Sequence, residues 1–66
     1  MLSELNIKIC DRLLAEMDDG GDEGRALKAL RNYRQFPSDA LRDAALRALG
    51  KLSKERQREL RQIARL

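Results

Sequence analysis

Histidine, valine, threonine and tryptophan do not occur in the 66 residues, and cysteine, proline, tyrosine and phenylalanine occur once each. Each shortage excludes something. Without histidine the usual general base is missing. One cysteine and no histidine cannot make up a zinc site, whose customary ligands are those two residues. Cys10 has no second cysteine to pair with inside the chain, so no internal disulfide staples the fold, and a free thiol fits a reducing cytosol. A sheet favours β-branched and aromatic side chains, and only three isoleucines, one tyrosine and one phenylalanine are on hand. The same scarcity leaves little on which nucleic-acid bases could stack. No apolar run approaches the length of a membrane span. The first residues show no basic region followed by an apolar block, so no secretory signal is expected.

What is present favours helices. Twelve leucines and eight alanines dominate the apolar set. Charged residues make up 38% but apolar residues 42%, which is too apolar for wholesale disorder. The chain is long enough for one domain, spanning 1–66. A chain this short has a marginal core, and with neither disulfide nor metal it depends on close helix packing or on a partner.

Ser3 can cap a first helix from about residue 4 to 18. Leu2, Leu5, Ile9, Leu13 and Met17 recur at helical spacing, as do Ile7, Cys10 and Leu14. Together they cover more than half the cylinder, so this helix is either central in its own domain or shared with a second copy. The stretch "DDGGDEG" (18–24) then breaks the pattern: Gly20 and Gly21 end the helix, and Asp22 can cap the next. It resembles a calcium loop only superficially. With Asp19 at position 1, Gly24 falls at position 6, but Gly21 and Leu30 stand at positions 3 and 12, where oxygen ligands are needed. "GGDEG" also lacks the lysine and the preceding strand of a phosphate loop. A flexible polar turn is the expectation.

A second helix is expected over about 23 to 35, with Ala26, Leu30 and Tyr33 on its stripe, Leu27, Ala29 and Phe36 at its flanks, and Pro37 as its stop. Ser38 and Gly50 bracket a third, whose Leu41, Ala45, Ala48, Leu49 and Leu52 share a side. Leu46 projects off that stripe and is a candidate contact with another molecule. Ser53 opens a fourth helix, roughly 54 to 65, with a thin stripe of Leu60, Ile63 and Ala64. Lys54, Arg58, Arg61 and Arg65 fall at i, i+4, i+7 and i+11 and form a cationic ridge. The segment "LSKERQRELRQIARL" is similar to helices that follow the DNA-reading part of many small bacterial repressors and often dimerise them. The pattern is that of a generic amphipathic helix and assigns no family.

The net charge of +3 hides an asymmetry: residues 1–24 carry two basic and seven acidic side chains, residues 25–66 twelve and four. A basic half points to an acidic partner or to the acidic half of the same or another copy. Serines 3, 38 and 53 are explained by capping, and Cys10, mid-helix on the apolar side, as a small hydrophobe. A helix-turn-helix over "GKLS" fits poorly, because Lys51 follows the turn glycine and Arg56 takes a position that should be buried.

The expectation is an all-α bundle of three to four short helices, arranged as two helical hairpins and dimeric. It is read as a cytoplasmic, non-enzymatic regulator, adaptor or inhibitor of bacterial or phage origin, with no metal, cofactor, membrane or small-molecule substrate. It would bind a protein partner through Leu46 or the spare side of the first helix, steered by the ridge. The alternative is a nucleic-acid-binding regulator that sets Lys54, Arg58, Arg61 and Arg65 on phosphates.

Overall fold

A computed structural model describes residues 4–65. Four helices follow one another: α1 (Ile7–Glu16), α2 (Gly21–Gln35), α3 (Asp39–Gly50) and α4 (Lys54–Arg65). No strand occurs among the described residues.

Local chemistry sets three of the four starts. Asn6 caps α1 by accepting the Ile9 amide at 2.9 Å. Ser38 accepts the Leu41 amide at 3.2 Å and Ser53 the Arg56 amide at 3.1 Å, each satisfying an amide that a helix start leaves unpaired. Ser3 and Leu2 lie outside the described residues.

The turn between α1 and α2 departs from expectation. α1 stops at Glu16, before the glycines; Met17 is extended, with its amide still bonded to the Leu13 carbonyl. Gly20, rather than Asp22, holds the N-cap position of α2 and offers no side chain. Gly21 carries the positive φ of +60° that favours glycine. Gly24 is required for a different reason: a Cβ there would run into the backbone carbonyl of Asp19.

The core draws on all four helices. Leu5, Cys10, Leu13 and Met17 meet Ala26, Leu27, Leu30 and Tyr33 of α2, Ala45 and Leu49 of α3, Leu52, and Leu60 and Ala64 of α4. All of these lie on the stripes or flanks that helical spacing predicts, while Ile9, Leu41, Ala48 and Ile63 of the same stripes are only half-buried. The principal helix pairs are α2 with α3, α1 with α4, and α1 with α2. The last helix thus returns to lie on the first, rather than closing as a tight hairpin on α3. Leu49 and Leu60 still share a small crevice with Leu13 and Gln57. The wide apolar arc of α1 is used within one copy, because α1 packs on both α2 and α4. None of the helices described is long and apolar enough to cross a membrane.

Candidate functional site

The ridge residues sit on one side of α4. At about 100° per residue, Arg61, Lys54, Arg65 and Arg58 fall within an arc of about 60° and span about 16 Å of helix axis. Leu60 and Ala64, about 90–130° round the helix from the centre of this arc, anchor α4 in the core. Lys54, Arg58 and Arg65 are exposed and Arg61 is half-buried. Lys54, Gln57, Arg58 and Arg61 line one open groove. Among the described residues, no carboxylate lies within ion-pairing distance of any of the four cations. Of the two glutamates of α4, Glu59 is engaged by Arg56, and Glu55, three residues before Arg58 and about 60° round the helix from it, makes no ion pair with it.

The helix that carries this face is held at several points. The Gln57 amide donates to the carbonyls of Gly50, at 3.1 Å, and Leu52, at 2.7 Å, so it fastens α4 to the end of α3. Arg12 donates to the Ala64 carbonyl at 3.0 Å and caps the far end of α4 from α1.

Arg56 makes the largest set of bonds. Its Nε and Nη2 grip both Glu23 oxygens at 2.7 and 3.0 Å, its Nη1 reaches Glu59 at 2.9 Å, and Nη2 also donates to the Glu16 carbonyl at 3.2 Å. The pair is mostly shielded, with 25% and 14% of the Arg56 and Glu23 side chains exposed. The bond from Arg56, reinforced by the amide of Asp18, holds the Glu23 carboxyl below the usual range despite its partial burial. Arg56 is therefore the clasp that ties α4 to the turn between α1 and α2. The spacing around "GKLS" puts Arg56 where a buried residue is expected, but carries no sign of its partner, 33 residues away.

The polar turn is consequently tied down. Glu23 accepts the Asp18 amide at 2.6 Å as well as Arg56, and no three cysteine, aspartate or glutamate side chains among the described residues group as metal ligands.

Leu46 does not stand free. It is half-buried and packs against the core, lining a groove with Glu4, Leu5, Asn6, Arg42 and Asp43. Ile7 and Leu14 on one flank of the core stripe of α1, and Ile9 on the other, are likewise half-buried. Among the described residues, the large apolar side chain that is exposed is Phe36, at 63%, where α2 ends. Cys10 is buried and its thiol donates to the Leu30 carbonyl at 3.2 Å. Burial, and then the charge of Asp11, push its pKa up, which keeps it protonated and unreactive at neutral pH.

No family model matches this chain, and searches of curated proteins and of solved structures give no match either.

Proposed function

We propose that this chain is a non-enzymatic binding protein, a small regulator or adaptor, that engages an acidic macromolecular partner through the cationic face of α4. One observation carries the reading: four cations share a narrow arc of a well-anchored helix, and among the described residues no carboxylate stands within ion-pairing distance of them. A protein uses such a surface to steer and hold an oppositely charged partner. The apolar contribution expected from Leu46 and the spare side of α1 carries less weight, because those side chains already pack on the core. The reading includes a cytoplasmic setting and a homodimer. Sedimentation equilibrium tests the dimer: a species of twice the 7.6 kDa chain supports it, and a single 7.6 kDa species removes it.

The binding reading is tested by retention on immobilised polyanions, polyglutamate and heparin, at low salt. Retention of the native protein, lost in the double variant Arg58→Glu/Arg61→Glu, supports it. A native protein that flows through both matrices overturns it.

A further inference from the structure

Resting on that reading, we propose that the acidic partner is the phosphate backbone of a nucleic-acid duplex, bound without reading its sequence. Three features of the face select this class. First, apart from its cations the groove presents only Gln57, whose amide nitrogen is already committed to the Gly50 and Leu52 carbonyls. The remaining donors are the lysine and arginine cations, which phosphates accept anywhere along a duplex, and no free amide donor stands beside them to pick out an adenine. Second, the groove is lined by no aromatic residue. Tyr33 is buried in the core, and Phe36 stands at the end of α2. Single strands are held by stacking on aromatics, so a duplex, whose bases are already stacked, suits the face better. Third, the apolar stripe of α4 is consumed by the core, with Leu60 and Ala64 buried. An interfacial membrane helix must leave such a stripe free, and a protein interface wants an apolar centre that this face does not have.

The helix presents its four charges over about 16 Å of its axis, long enough to follow several phosphates of one duplex. If each cation neutralises one phosphate, the logarithm of the binding constant falls against the logarithm of salt with a slope of about −3.6. Affinity then drops about a hundredfold between 50 and 200 mM salt.

The test is fluorescence anisotropy of the full chain with two labelled 20-base-pair duplexes of unrelated sequence, over that salt range. Equal affinity for both duplexes and the steep slope are expected. Arg58→Glu/Arg61→Glu should abolish binding or at least halve the slope, with circular dichroism confirming an unchanged fold. Lys28→Glu/Arg31→Glu, an equal charge change at exposed positions on α2, should retain clearly tighter binding than the α4 variant. The proposal is overturned if no duplex binds at the lowest salt, if the two double variants lose affinity equally, or if one duplex is strongly preferred. Polyglutamate binding without duplex binding removes the phosphate assignment and leaves the acidic-partner reading standing. Failure of both ligands removes both.

Discussion

At the scale of the residue, Arg56 is the side chain on which most depends. Removing it leaves the shielded Glu23 carboxylate without its partner and frees the Glu16 carbonyl. Arg56→Ala should therefore lower stability by about 2 kcal/mol in denaturant titration. Arg56→Lys should recover only part of that, because an ammonium cannot reproduce the two-pronged grip. The same pair sets a dependence on acid. The Glu23 carboxyl is held below its unfolded value, so its contribution is present above a pH of about 4.3 and is lost as pH falls through the lowered folded value. Glu23→Gln should flatten the fall of stability in that acid window, as thermal melts across pH will read. Gly24 makes a contrasting case. In an ordinary helix interior, alanine in place of glycine stabilises by about 1 kcal/mol. Here the added methyl collides with the Asp19 carbonyl, and Gly24→Ala should instead destabilise by about 1–3 kcal/mol. Neither contact could be read from the chain. Both Arg56 with Glu23 and Gly24 with Asp19 depend on how the backbone turns at 17–20, where several glycine-compatible paths are open to the sequence.

At the scale of the element, the helices themselves were legible, because leucine and alanine spacing and serine caps are local signals. Ser38 and Ser53 cap the helices they precede, and Ser53→Ala should cost about 1 kcal/mol in thermal stability. A cost near zero would mean that Gln57 and Arg56 hold α4 without the cap. The first helix is shorter at both ends than apolar spacing implies. Asn6 starts it in the described structure, and Met17 leaves helical geometry early while keeping its side chain in the core. Apolar spacing therefore continued past the point where the backbone changed direction. The ridge on α4 was legible for the same reason as the helices: it is a repeat along a single element. The surroundings of Leu46 were not legible, because its distance from the α3 stripe says nothing about the segment around Leu5 that comes to lie beside it.

At the scale of the molecule, pairing was the hidden variable. An amphipathic stripe announces that a helix is buried but not against what, and α4 could have folded on α3 as readily as on α1. The path it takes has a consequence during synthesis. Arg12 meets Ala64 across 52 residues, and Leu13 shares its crevice with Leu60. In a growing chain Leu13 lacks its cover from α4 until Leu60 has been polymerised, a delay of several seconds at typical elongation rates of about 5–20 residues per second. Crowded, half-made copies would meet one another during that interval. The acidic excess of residues 1–24 then acts as mutual repulsion between nascent segments, well before the arginines that later offset it have been added.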